Sequence, residues 1–143
     1  MIQRTSLLFS LGALNRLIKR KADRLLEKNG LTMAQFRILW FLDDNKDLCQ
    51  KDLEQQFSMS KAAVSGIVDT LVEAGWLRRV KDGNDHRVKR LSLSDEGTAL
   101  IKETTRSVTS LDHGIETLFT AEEKEMLEKA ISRLTDFFEE KLC

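Results

Sequence analysis

Proline is absent from the 143 residues, so the limits of every element must be set by glycines and capping side chains. Cysteine is nearly absent. Cys49 and Cys143 lie far apart and form no CxxC pair, which argues against a disulfide framework or a zinc knuckle and leaves reduced thiols as the expectation. Histidine is limited to His86 and His113, without an HExxH pattern, so neither a metal site nor any other cofactor is expected. No apolar run approaches the roughly 20 residues that span a bilayer, and the first ten residues lack a secretory core with a cleavage site. A cytoplasmic protein with no membrane partner is expected. The GxSxG elbow, the P-loop and the dinucleotide fingerprint are also missing, so a hydrolase or transferase built on Ser, His and Asp has no recognisable site.

What is present is a globular composition, 41% hydrophobic and 32% charged, at a length that suits one domain with a sizeable core. The net charge of zero conceals a strong segregation. Residues 1–30 hold seven bases against two acids, net +5, and residues 76–91 hold six against two, net +4. Residues 94–143 carry six bases against twelve acids, net −6. Such a dipole points to one part that meets a polyanion and another with a different task.

Apolar spacing resolves the order of elements. Leu7, Leu11, Leu14, Ile18 and Leu25 form the stripe of an amphipathic helix that Asn29-Gly30 can end. Thr32 and Gln35 stand in capping-box relation ahead of a second helix carrying Phe36, Leu39, Trp40 and Phe41, which "DDNKD" breaks. A short helix around Gln50 to Gln56, a break at "FSMS" and a helix from about Ser60 to Ala74, closed by Gly75, form a helix-turn-helix signal. The last of these buries Val64, Ile67, Val68, Leu71 and Val72, leaving Lys61, Ala62, Ser65, Gly66 and Asp69 on its opposite face. "WLRRV" and "VKRLSL" read as two short strands around the turn residues Asp82, Gly83, Asn84 and Asp85. Helix-turn-helix followed by a ribbon is the winged-helix order. Ser94 then starts a helix with Asp95 and Glu96 at its positive end, running to near Leu118, and Thr120 with Glu123 opens a last helix striped by Met126, Leu127, Ala130, Ile131, Leu134, Phe137 and Phe138. Apolar stripes of this length exceed what a small winged-helix core can cover, so the terminal helices are expected to form a dimer interface centred on Leu7, Leu11, Leu127, Ile131, Leu134 and Phe138.

The order and the residues resemble the multiple-antibiotic-resistance regulator (MarR) family of bacterial transcription factors. The likeness runs through "LTMAQFRILWFL", then "DLEQQFSMSKAAVSGIVDTLVEAGWLRRV", then the wing "DHRVKRLSLSDEG", where Asp85 and Arg87 match the family's Asp-x-Arg signature. It implies a mostly α protein with a small β-ribbon: a winged helix-turn-helix region at residues 31–93, flanked by dimerisation helices from residues 1–30 and 94–143, all within one domain over 1–143. It further implies a sequence-specific regulator, a ligand- or stress-responsive repressor that acts as a homodimer on a palindromic operator. The implied partners are double-stranded DNA, a second copy of the chain and a small aromatic ligand. The rival expectation is a winged-helix module that binds proteins and not DNA.

On that resemblance Ser60, Lys61, Ala62 and Ser65 belong to the recognition helix in the major groove, and Asp85, Arg87, Lys89 and Arg90 to the wing. A guanidinium at the wing tip suits a narrow minor groove, where flanking phosphates focus negative potential. Asp85 would orient Arg87, while Lys89, Arg90, Arg78 and Arg79 would follow phosphates. Two departures stand out. Gly66 replaces a side chain that relatives often use to read bases, and Asp82-Gly83 replaces a proline-containing wing turn, which would leave the wing more mobile. His86 sits where a protonated ring would meet a phosphate, and Cys49 adjoins the DNA-binding helices, where an inert thiol is the simpler reading.

Overall fold

The computed structural model describes residues 6–85 and 87–140, so the readings placed on His86 and Cys143 fall outside the described residues. The chain divides into two compact units, residues 1–106 and 107–143.

The first unit opens with α1, Leu7–Glu27, of which only Leu26 is buried. Gly30, at φ 73°, turns the chain with a backbone that glycine alone adopts at little cost. Thr32 and Gln35 then form the complete capping box that launches α2, Met33–Asp44: each side chain accepts from the other residue's backbone N–H, at 3.2 and 2.9 Å. Of this helix Ile38, Leu39 and Leu42 enter the core, whereas Trp40 stays half exposed and stacks on Phe36.

A two-residue strand, β1 (Leu48–Cys49), follows and was not legible as a strand in the sequence. It leads directly into α3, Gln50–Phe57, whose capping box is built by Cys49 and Asp52. The Asp52 carboxylate accepts from the Cys49 backbone N–H at 2.8 Å, and this bond, with the Cys49 side-chain contact, holds the Asp52 pKa below its usual value of 3.8. Ser58 takes the left-handed conformation that ends α3. Ser60 accepts from the Ala63 N–H at 3.1 Å and caps α4, Lys61–Glu73. Val64, Val68 and Leu71 bury one face of α4, and Ile67 and Val72 fill in beside them.

Beyond Gly75, β2 (Leu77–Lys81) and β3 (Lys89–Leu93) pair antiparallel, Leu77 opposite Leu93 and Arg79 opposite Leu91. The expected ribbon is therefore a three-stranded sheet of order β1-β3-β2, with Leu48 opposite Leu91. Leu91 and Leu77 seal it onto a core of Leu26, Leu31, Ile38, Leu39, Leu42, Leu53, Val64, Val68, Leu71 and Ile101.

The start of α5, Asp95–Glu116, is fastened to the end of α4 at one point. The Ser94 N–H donates to the Trp76 carbonyl at 3.0 Å; the Ser94 hydroxyl donates to the Gly75 carbonyl at 2.5 Å and accepts from the Gly97 N–H at 3.0 Å. A Cβ at residue 97 would lie 2.1 Å from the Trp76 carbonyl oxygen. Glycine is required there by backbone contact, not by φ.

The second unit holds the end of α5 and α6, Ala121–Glu140. Thr120 and Glu123 exchange the two bonds of a capping box at 3.1 and 3.2 Å, and Lys124 bridges to Glu116 at 2.7 Å across the turn. No described residue of α6 is buried.

Two stability predictions follow from these joints. Gly97→Ala must displace backbone, and we expect it to cost about 1–3 kcal/mol or more, read as a lower urea midpoint at unchanged slope; an unchanged midpoint would mean that the α4–α5 joint yields freely. Asp52→Ala is expected to cost about 1 kcal/mol near neutral pH by removing a charged acceptor at the head of α3. A carboxylate with a lowered native pKa stabilises the fold above its unfolded value and ceases to do so as pH falls through the native one. The gap between wild type and Asp52→Ala should therefore narrow on acidification below 3.8, and a pH-independent gap in parallel denaturation series would contradict this origin.

Candidate nucleic-acid interface

A groove of about 770 Å³ runs between the helix-turn-helix and the wing. Its walls are Cys49, Gln50, Lys51 and Glu54 at the start of α3, Lys61, Ser65 and Asp69 along α4, Arg79 on β2, and Arg87, Val88 and Lys89 on the wing. Lys61, Ser65 and Asp69 are four residues apart, so they form one stripe on the helix. The lining carries five cations (Lys51, Lys61, Arg79, Arg87, Lys89) against two carboxylates (Glu54, Asp69).

Five of the residues to which the sequence assigns DNA contacts, Lys61, Ser65, Arg79, Arg87 and Lys89, thus come together on this groove. The others have different surroundings. Ser60 spends its hydroxyl on the α4 cap, and Ala62 is exposed on the first turn. Asp85 does meet Arg87, but through the backbone: its carboxylate accepts from the Arg87 N–H at 3.0 Å, so it shapes the turn and not the guanidinium. Arg90 is committed within the chain. Its guanidinium lies 3.3 Å from the Asp82 carboxylate and donates to the Asp47 carbonyl.

These bonds bear on the wing that lacks proline. Asp82 accepts from the Asn84 N–H at 3.0 Å, Asp85 caps Arg87, and backbone bonds Asp82–Val88 and Val88–Asp85 close the loop at 2.9 and 3.0 Å. Side-chain acceptors set this turn where a pyrrolidine ring would otherwise do so. Gly66 is exposed, and a Cβ there would have nothing within 4 Å among the described residues, so packing within the chain does not account for it.

Sequence reasoning did not single out Lys51 or Glu54 for the groove, and it left Asp69 unassigned on the exposed face of α4. Asp69 forms an ion pair with Arg79, which reaches over from β2. The i to i+4 spacing from Ser65 was the available signal for Asp69; nothing local pointed to its partner ten residues on. Among the described residues no group of three or more His, Cys, Asp or Glu is placed to hold a metal ion, and no helix is long and apolar enough to cross a membrane.

Comparison with known proteins places this geometry. The MarR family model matches residues 29–88, from the end of α1 to the wing. The transcriptional regulator FarR of Neisseria gonorrhoeae is 30% identical over 110 residues, which cover 77% of this chain and 75% of FarR. The multiple antibiotic resistance protein MarR of Escherichia coli is 29% identical over 97 residues, 65% of this chain and 67% of that protein. Staphylococcus aureus MepR, solved in complex with DNA, shares the fold with a TM-score of 0.80 at 21% identity, over 93% of this chain and 98% of that one. The chain belongs to the MarR family and is a winged helix-turn-helix transcriptional regulator, not an enzyme.

Proposed function

We infer that the protein works in the cytoplasm as a homodimeric repressor on an approximately palindromic operator, α4 entering the major groove and the wing reaching the minor groove. The observation that carries this reading is the groove that puts Lys61 and Ser65 of α4 beside Arg87 and Lys89 of the wing, all facing solvent with cations in excess. Lys61 suits guanine acceptors or a phosphate, Ser65 either kind of partner, and Lys89 a phosphate. Ser60 and Ala62, at the head of α4, let that end of the helix approach the duplex closely, and Arg90 braces the wing through Asp82 and the Asp47 carbonyl. That MepR, a protein of the same fold, is solved in complex with DNA supports the DNA-binding reading.

The dimer is the reading of the exposed apolar faces. Leu7 is 78% exposed and Leu11 37% on α1, and Ile131 is 53% exposed on α6 beside Leu127 and Phe138. Apolar faces of this extent are what a second copy covers. Leu134, half-buried, belongs to the same stripe. A small aromatic effector, or another signal, then acts by favouring one spacing of the two α4 helices over the other.

Titration of a duplex tests the DNA reading. Binding should weaken steeply with salt, each neutralised phosphate adding about 0.9 to the log–log slope, and Arg87→Ala should cost about 1–3 kcal/mol at matched salt with the fold intact. Full affinity in Arg87→Ala would remove this side chain from the mechanism, and a flat salt response would favour a module that binds proteins only. Ile131→Asp is expected to convert a dimer to a monomer in sedimentation; a wild-type chain that sediments as a monomer at micromolar concentration refutes the dimer.

A further inference from the structure

The acid in the DNA-facing stripe of α4 is the feature that the proposed function does not absorb. Lys61 and Ser65 are suited to a polyanion, but Asp69, next on the same stripe, is not. Its side chain is 54% exposed at the groove, while the Arg79 side chain paired with it is only 25% exposed. The pair therefore presents its acid to solvent and holds its base behind. Arg79 Nε is enclosed without a hydrogen-bond partner among the described residues, so the guanidinium is incompletely satisfied by them in this arrangement. An arginine in that condition gains by moving to an acceptor that can take more of its N–H groups, and a phosphate is such an acceptor.

We propose that Asp69 is a specificity-determining residue: by tethering Arg79 to the recognition helix it withholds one cation per subunit from the DNA backbone and so limits affinity for duplex of any sequence. Phosphate contacts add affinity without regard to sequence, so withholding one lowers binding to bulk DNA and preserves the margin by which an operator is preferred. Arg79 is thereby separated from Lys61, Arg87 and Lys89, which no ion pair engages among the described residues. The inference rests on the DNA-binding reading above and refines it.

The test compares wild type, Asp69→Asn, Arg79→Gln and the double variant on one duplex of random sequence across a salt series, with thermal melts to verify folding. Releasing two arginines per dimer should steepen the log–log slope of Asp69→Asn by about 1.8, so that raising salt from about 50 to about 200 mM costs it roughly tenfold more affinity than wild type. The extra slope should vanish in the Asp69→Asn/Arg79→Gln protein. Glu73→Gln removes an exposed acid of the same helix that neither lines the groove nor stands in an ion pair among the described residues, and it should leave the slope unchanged. An unchanged slope in Asp69→Asn, or an equal rise with Arg79 absent, overturns the proposal, because the acid then acts without restraining the arginine. If Asp69→Asn melts early, Asp69→Ser gives the same comparison and is held to the same outcomes. A wild-type protein that shows no salt-dependent binding defeats the DNA reading itself, whereas wild-type binding with no response at Asp69 defeats only this step.

Discussion

The carbonyl of Trp76 occupies the place where a side chain on residue 97 would begin, and the geometry of the groove between helix and wing depends on that contact. Gly75, at φ 81°, ends the recognition helix; Trp76 follows, and Leu77 opens β2 opposite Leu93. Ser94, next after β3, ties this turn to the first turn of α5 by its backbone N–H and its hydroxyl together. One point thus holds the end of α4, the start of β2, the end of β3 and the start of α5. The wing cannot swing as a ribbon on two loose strands, because both of its strands are pinned at their base beside the helix that it works with. The width of the groove between helix and wing is a property of this joint and of the buried Leu71, Leu77 and Leu91 next to it.

Onto that frame the chain places more cations than it leaves available. Arg90 braces the wing against Asp82 and the carbonyl of Asp47, a residue held at φ 63° where the chain leaves α2 for β1. Arg79 binds the recognition helix through Asp69. Arg79 is the middle residue of β2 and Arg90 the second of β3, whereas Arg87, in the turn, and Lys89, the first residue of β3, line the groove. The basic segment therefore divides its work: Arg79 and Arg90 are held by partners within the chain, whereas Arg87 and Lys89 stand in no ion pair among the described residues. Counting bases along a sequence cannot separate the two uses, since a surface ion pair and an open cation leave the same composition.

Much of this fold was legible because it is written in local chemistry. Thr32 with Gln35, Ser60 and Thr120 with Glu123 cap the helices that the sequence assigns to them, and the period of Val64, Val68 and Leu71 identifies the buried face of α4. What escaped reading depends on partners distant in sequence. The strand β1 has two residues, too few to alternate, and exists because Leu48 finds Leu91. Gly97 looks like a poor helix former until the Trp76 carbonyl is placed against it. In the groove, Lys61, Ser65, Arg87 and Lys89 were legible from the helix-turn-helix and wing pattern, whereas Lys51, at the second position of a short helix, and the Asp69–Arg79 pair were not. Pattern identified the elements; the pairing between them decided which charges remain exposed.

The same distinction governs the apolar stripes. Periodicity says which side of α1 and of α6 is apolar, but it does not say what covers that side, and of all α1 only Leu26, next to its end, is buried. A helix of 20 residues with no buried side chain, as α6 is, gains little from tertiary packing, and helices held by local bonds alone are marginal in water. Its first turn is well made, with the Thr120–Glu123 box and two acids at the positive end, yet capping supplies only about 1–2 kcal/mol. The apolar stripe of Leu127, Ile131 and Phe138 must supply the rest by being covered. The proposed dimer is thus a condition for the ordered state of the helices that form it as well as a means of presenting two recognition helices to a palindrome. On this view association, folding of the terminal helices and the spacing of the DNA-reading elements form one linked equilibrium, and an effector that perturbs any one of them shifts the other two.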